Sequence, residues 1–158
     1  MASCIASGME YLAQLCVIHQ DLACRNCVVY PDNNVKVSTK RICEHKYHYH
    51  YHPINGKSLP VRWLSPEAIA EGKYSQKSDV WSFGVTLWEI FCCGATPYTG
   101  VMNDKVAEGV CNEMRLPQPS GCPLPVYETM QQCWMADVNQ RPTFQQLTNI
   151  FNRTGLNL

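Results

Sequence analysis

The sequence predicts a mostly α-helical domain that carries one small β-hairpin, and three observations predict it. Apolar residues recur at three- and four-residue spacing through several long segments, the mark of helices with one buried stripe. One alternating stretch, Val35-Lys36-Val37, follows the turn cluster Pro31-Asp32-Asn33-Asn34, which is itself preceded by the β-prone Val28-Val29-Tyr30. The chain has 158 residues, 46% of them hydrophobic, which is enough for one core and short for two domains.

A first helix is expected over residues 2–16, where Ile5, Met9, Leu12 and Cys16 form one stripe with Ser7, Glu10 and Gln14 off it. The stripe begins almost at Met1, so the N-terminal edge is expected to cut through an element, and the sequence reads as a fragment. Val17-Ile18 is a further β-prone piece, expected to join the hairpin of 28–30 and 35–37. Between them His19-Gln20-Asp21-Leu22-Ala23-Cys24-Arg25-Asn26 is a polar loop clamped by apolar residues, a placement that suits catalysis or recognition.

Residues 39–60 have neither helical nor strand period and predict a long exposed loop. Residues 75–93 read as a helix that is apolar nearly all round, which places it in the middle of the domain. Its Asp79 lies among apolar neighbours and needs hydrogen-bond partners, so it is expected to anchor a loop. A shorter helix is expected over 103–114 with Asn103 as its cap, then a proline-rich rigid connector over 116–125, then a helix marked by Tyr127, Met130 and Trp134. After Arg141-Pro142, Thr143 and Gln146 have the spacing of a capping box, followed by an apolar face of Phe144, Leu147, Ile150 and Phe151.

Lys plus Arg (13) balance Asp plus Glu (13), so no basic stripe exists to hold nucleic-acid phosphates, and nucleic-acid binding is excluded. The apolar runs are interrupted well short of the ~20 residues of a membrane span, and no signal peptide follows Met1. Ten cysteines in a chain able to build a core read as reduced thiols of a reducing compartment, most among helical apolar residues, as Cys16 beside Leu12 and Leu15 and Cys133 beside Trp134.

The loop His19-Gln20-Asp21-Leu22-Ala23-Cys24-Arg25-Asn26 resembles the catalytic loop of protein tyrosine kinases. Pro60-Val61-Arg62-Trp63 and Ser65-Pro66-Glu67 are similar to that family's peptide-substrate segment and the motif after it. Ser78-Asp79-Val80-Trp81-Ser82-Phe83-Gly84 resembles its central helix, Cys133-Trp134 its penultimate helix and Arg141-Pro142 its closing motif. The matches run in family order over residues 1–152, leaving 153–158 as a tail. The fold implied is the large helical C-terminal lobe of a protein kinase, with the ATP-gripping small lobe absent. By the same resemblance Asp21 stands where a carboxylate accepts the substrate hydroxyl proton, Arg25 near that hydroxyl, and Asn26 at a magnesium-ligand position. Glu67 and Arg141 match a buried ion pair, and Asp79 the anchor of the catalytic-loop backbone.

Two departures matter. Where the family has Asp-Phe-Gly after the strand, this chain has Thr39-Lys40-Arg41, so the principal magnesium ligand is replaced by a neutral hydroxyl beside two cations. Gln20 stands where loop-regulated kinases have an arginine, and glutamine cannot neutralise a phosphate. The run from Asn26 to Asn33, the degenerate triplet, Ser65-Pro66-Glu67-Ala68-Ile69, and Leu116-Pro117-Gln118-Pro119 before Gly121-Cys122-Pro123 resemble the catalytically impaired receptors of the protein tyrosine kinase seven, or off-track, group, which act in Wnt and planar-polarity signalling.

In 45–52 the His/Tyr alternation, if extended, would put His48, His50 and His52 on one side, a spacing able to meet zinc or copper. Closing such a site costs a loop its ordering entropy and no second ligand pair is evident, so no metal is assigned. Tyr47, Tyr49 and Tyr51 are candidate activation-loop phosphorylation sites. Cys24-Arg25-Asn26-Cys27 has redox-motif spacing without a partner pair and is read as incidental.

Three readings follow. The first is the C-terminal lobe of an inactive receptor tyrosine kinase, a scaffold or co-receptor beneath the plasma membrane, attached only through a transmembrane segment outside this chain. Its partners would be its own small lobe and signalling proteins or an active tyrosine kinase. It would need no cofactor, ATP and magnesium belonging to the ancestral complete domain. The second is an active tyrosine kinase using Asp21, Arg25 and Asn26 with an unorthodox metal arrangement. The third is a short, lobe-only interaction protein.

Overall fold

Helix α1 (Ala2–Gln14) buries Ile5 and Met9 of the expected stripe together with Ala2 and Ala6, while Leu12 is only partly covered. The computed structural model describes residues 1–32, 34–39, 46–54 and 56–153. The helix ends before Cys16, which adopts φ 56° and is exposed, so that residue does not extend the buried stripe. Val17-Ile18 form no strand, because Val17 donates its N–H back to Leu12 (2.9 Å) and the chain turns directly into the His19 loop.

Strands β1 (Cys27–Val29) and β2 (Val35–Val37) form the expected antiparallel hairpin, pairing Cys27 with Val37 and Val29 with Val35. The stretch read as a featureless loop contains more order than its pattern shows. A 3-10 turn spans His48–His50, and β3 (His52–Ile54) pairs antiparallel with β4 (Lys57–Leu59), Ile54 opposite Lys57. The two-residue separation carrying Asn55-Gly56 is the hairpin signal in the sequence; each strand is too short to show a period. The turn also removes the alternation on which a three-histidine face depended, because only an extended chain sends every second side chain the same way.

Helix α2 (Pro66–Glu71) starts on a proline, whose missing N–H is not needed in a first turn, and ends on Gly72 at φ 64°. Helix α3 (Gln76–Phe91) starts from a capping box in which Ser75 Oγ accepts from Lys77 and Ser78, and Ser78 Oγ accepts from Ser75 N–H. It is buried on nearly every side, from Ser78 through Leu87 without interruption. At Gly84 a Cβ would lie 2.6 Å from Trp134 Nε1 and 2.8 Å from Cys133 Cβ, so this glycine permits α3 to touch α5 (Leu124–Cys133).

Helix α4 (Asn103–Cys111) is preceded by Met102 rather than capped by the Asn103 side chain, which is engaged elsewhere. Helix α5 begins inside the predicted connector, with Pro125 tolerated in its first turn. Helix α6 (Phe144–Arg153) has the predicted box: Gln146 N–H donates to Thr143 Oγ1 (3.2 Å) and Thr143 N–H to Gln146 Oε1 (2.8 Å). It buries Phe144, Leu147 and Phe151, with Ile150 only partly covered. Packing of α1 on α6 and β2, α3 on α5, and α2 on α4 surrounds one core containing Trp63, Trp81, Phe83, Leu87, Met130 and Leu147.

The architecture is therefore mostly α, as the sequence predicts, and among the described residues it carries a second two-stranded sheet beside the one expected hairpin. Nine described cysteines are free; Cys133 is buried, but Cys16, Cys93 and Cys111 are exposed rather than packed among apolar helix residues. Among the described residues no helix is long and apolar enough to cross a membrane.

Candidate functional site

The polar loop between α1 and β1 is held from below by α3. Asp79, buried in that helix, accepts from His19 N–H (2.7 Å) and Gln20 N–H (2.9 Å), one on each carboxylate oxygen. Burial pushes its pKa up, and the two backbone bonds oppose that shift. Gln20 sits at φ 66°, a left-handed conformation uncommon for a side-chain-bearing residue, and the Asp79 clamp is the contact that holds it there. His19 Nε2 lies 2.7 Å from Ser38 O and ties the loop to the end of β2.

A second carboxylate of α3 does comparable work. Glu89 is buried and accepts from Cys24 N–H (3.0 Å) and from Trp63 Nε1–H (2.8 Å), joining the loop to the 3-10 turn Val61–Trp63. Burial raises its pKa, again against these donors. The sequence reading missed Glu89, although the signal that picked out Asp79 applies to it equally: one acid among Trp88, Ile90 and Phe91 in an apolar helix.

Asp21, Arg25 and Asn26 converge on one point. Arg25 Nη2 donates to Asp21 Oδ1 (2.5 Å), while Asn26 Nδ2 donates to Asp21 O (2.7 Å) and Asp21 Oδ2 (3.0 Å). The Arg25 guanidinium lies over the Trp63 ring at 4.2 Å, a stacking that planar arginine favours. A further partner comes from the segment expected to be exposed. Tyr51 is 7% exposed; its hydroxyl donates to Asp21 Oδ2 (2.7 Å) and accepts from Arg25 Nε (3.1 Å).

Burial pushes the Tyr51 pKa to about 12; Arg25 pulls it down and Asp21 adds to the rise. Tyr51 thus departs from the expectation of an exposed loop tyrosine, whereas Tyr49 is 57% exposed and Tyr47 partly so. His50 packs against Trp63 (4.9 Å between centroids) and stacks on Tyr47 (5.3 Å). Its pKa falls to about 4, through burial first and then the charges of Arg25 and Arg62.

Of the peptide-substrate segment, Pro60, Val61 and Trp63 are buried, so their side chains belong to the core. Arg62 holds the following loop, donating to Asn103 Oδ1 (2.8 Å), Pro97 O (2.7 Å), Tyr98 O (2.9 Å) and Val101 O (2.6 Å). Arg141, 1% exposed, forms a two-pronged pair with Glu67 at 2.7 and 2.9 Å. Burial alone would raise the Glu67 pKa, but the Arg141 hydrogen bonds and charge bring it below its ordinary value.

Thr39 is exposed just past β2; Lys40, Arg41, Cys43 and His45 lie outside the described residues, as do 154–158 of the expected tail. Cys24 and Cys27 both have pKa values raised chiefly by burial, Cys27 to about 12, which leaves them as thiols and unlike a reactive redox pair.

Comparison with known proteins gives these geometries a family. The family model of the protein tyrosine and serine/threonine kinases matches residues 1–151. The chain is 41% identical over 150 residues to the mouse protein named inactive tyrosine-protein kinase 7, covering 94% of this chain and 14% of that protein. It is 42% identical over 153 residues to an insulin-like peptide receptor of the lancelet Branchiostoma lanceolatum, covering 96% of this chain and 11% of the receptor. It is also 44% identical over 140 residues to the transforming tyrosine kinase Fps of an avian sarcoma virus, covering 88% and 26%. The chain thus corresponds to a small part of each of these relatives. With the loop clamped by Asp79, Asp21, Arg25 and Asn26 drawn together, and helices in the order of a kinase large lobe, this chain belongs to the protein tyrosine and serine/threonine kinase family.

Proposed function

We propose that the chain is the C-terminal lobe of a catalytically impaired receptor tyrosine kinase that works as a scaffold or co-receptor in transmembrane signalling. In this reading it lies at the cytoplasmic face of the plasma membrane, partnered by its own small lobe and by signalling proteins or an active tyrosine kinase. The resemblance to the inactive tyrosine kinase 7 group extends the reading to Wnt and planar-polarity pathways.

The observation that carries the reading is Thr39 at the position where the family places its principal magnesium carboxylate. Magnesium requires hard, preferably anionic oxygens in near-octahedral array. Of the two positions that the resemblance makes magnesium ligands, one is the neutral hydroxyl of exposed Thr39 and the other is the buried Asn26 Oδ1, which has no hydrogen-bond partner among the described residues. One amide and one hydroxyl oxygen bring no charge to offset that of the ion, so these two positions do not fit it. Occupation of Asp21 by the Tyr51 hydroxyl supports the same reading, because the carboxylate that would receive a substrate proton already has a phenol on it.

The intact Asp21, Arg25 and Asn26 cluster favours the second reading, an active tyrosine kinase with an unorthodox metal arrangement. A phosphotransfer assay on the complete domain, small lobe included, separates the two. The expected result is no magnesium-dependent transfer above that of the Asp21→Asn variant. Transfer by the wild type that this substitution abolishes refutes the proposal.

A further inference from the structure

A groove of about 720 Å³ runs along α6, walled by the turn before that helix, the start of α3 and the last turn of α5. It shares no lining residue with the Asp21 cluster. Its chemistry is lopsided for a chain in which 13 basic residues balance 13 acidic ones: Lys77, Arg141 and Arg153 line it and, among the described residues, no carboxylate does.

Arg141 is neutralised by Glu67, which leaves Lys77 and Arg153. They stand at opposite ends of α6. Lys77 Nζ donates to the Arg141 carbonyl, which ties its ammonium to the turn before the helix, and Arg153 is the last residue of the helix, exposed and in no ion pair among the described residues. Between them lie the exposed amides of Gln132, Asn139, Gln140 and Asn149. An amide side chain carries both a donor and an acceptor, so it pairs with peptide backbone whatever the sequence.

We propose that this groove docks an extended acidic peptide segment whose carboxylates meet Lys77 and Arg153. The spacing sets the motif. The ten residues of α6 span roughly 15 Å at ~1.5 Å per residue. A strand advances ~3.4 Å per residue, so two acidic side chains about four residues apart reach both cations while the intervening backbone meets the amides. Alternation also sends residues an even number apart to the same face, which four satisfies.

The test is an NMR titration of the full chain, isotopically labelled, with the capped peptide Asp-Ser-Ala-Ser-Asp, reading the amide signals of Gln140, Asn149 and Arg153. Comparators are Asp-Asp-Ala-Ser-Ser, with the same composition, and the uncharged Asn-Ser-Ala-Ser-Asn. Saturable shifts at those residues, about ten-fold weaker affinity for each comparator, and a similar loss in Arg153→Glu and in Lys77→Gln with no change in Lys57→Glu are expected. Arg153 lies at the exposed end of its helix, so its variant retains the fold and keeps the test sharp if Lys77→Gln does not. Absence of saturable binding, equal binding of the same-composition peptide, full binding by Arg153→Glu, or an equal loss in Lys57→Glu overturns the proposal; the last result would mean general attraction of anions.

Discussion

Replacing Arg141 by alanine should be among the most destabilising single changes in this chain. The guanidinium donates to both Glu67 oxygens (2.7 and 2.9 Å), to Lys77 O (3.1 Å) and to Met135 O (2.9 Å), and its carbon lies 5.0 Å from the Trp81 ring centroid. Truncation leaves two carbonyls and a carboxylate short of donors and removes a planar group from the Trp81 face. Glu67 keeps some access to water, its side chain being 17% exposed, so its stranded charge is partly relieved. Breaking a buried pair from one side costs about 3–5 kcal/mol. For a domain of this length that lowers the unfolding midpoint by about 6–20 °C. Circular dichroism melts of the wild type, Arg141→Ala, Glu67→Gln and the double variant measure it. In the Glu67→Gln background Arg141→Ala should cost less, since the charge it would strand is already gone. A midpoint moved by less than about 2 °C in Arg141→Ala, or strict additivity in the cycle, refutes the argument.

Gly84→Ala should lower stability by about 1–3 kcal/mol in the same melts, because the new methyl meets Trp134 and Cys133 where neither has room. His50 has a folded pKa of about 4 against an ordinary 6.5, so the unfolded chain binds the extra proton first as pH falls. The stabilisation it allows is complete above about 6.5 and is lost toward about 4, and the wild type should lose stability over that window more steeply than His50→Phe. Tyrosine nitration, which needs the phenolate, should reach exposed Tyr49 well before Tyr51, buried and with a pKa near 12. Peptide mapping that found Tyr51 modified first would show that its hydroxyl does not rest on Asp21.

Helices α1 and α6 were legible because each repeats one spacing over ten or more residues, α3 because it is apolar nearly all round, and the starts of α3 and α6 are written in local side-chain chemistry. Strands β3 and β4 were not, since three residues hold no period and only the Asn55-Gly56 pair marks their turn. Asp79 could be found as a lone charge in an apolar helix; Glu89 gave the same sign and was overlooked. Asn103 shows the limit of local rules: its side chain has the chemistry of a cap, but Arg62, 41 residues away, takes it.

The sequence by itself determined the family and the order of the long helices, because motifs and periods are local and survive without coordinates. Tertiary structure alone decided that Tyr51 rather than solvent meets Asp21 across 30 residues of chain, that Arg62 supports a loop instead of facing outward, and that Lys77 and Arg153 share one groove. Such pairings depend on how helices and turns pack, and hydrophobic burial, which drives packing, is indifferent to sequence distance.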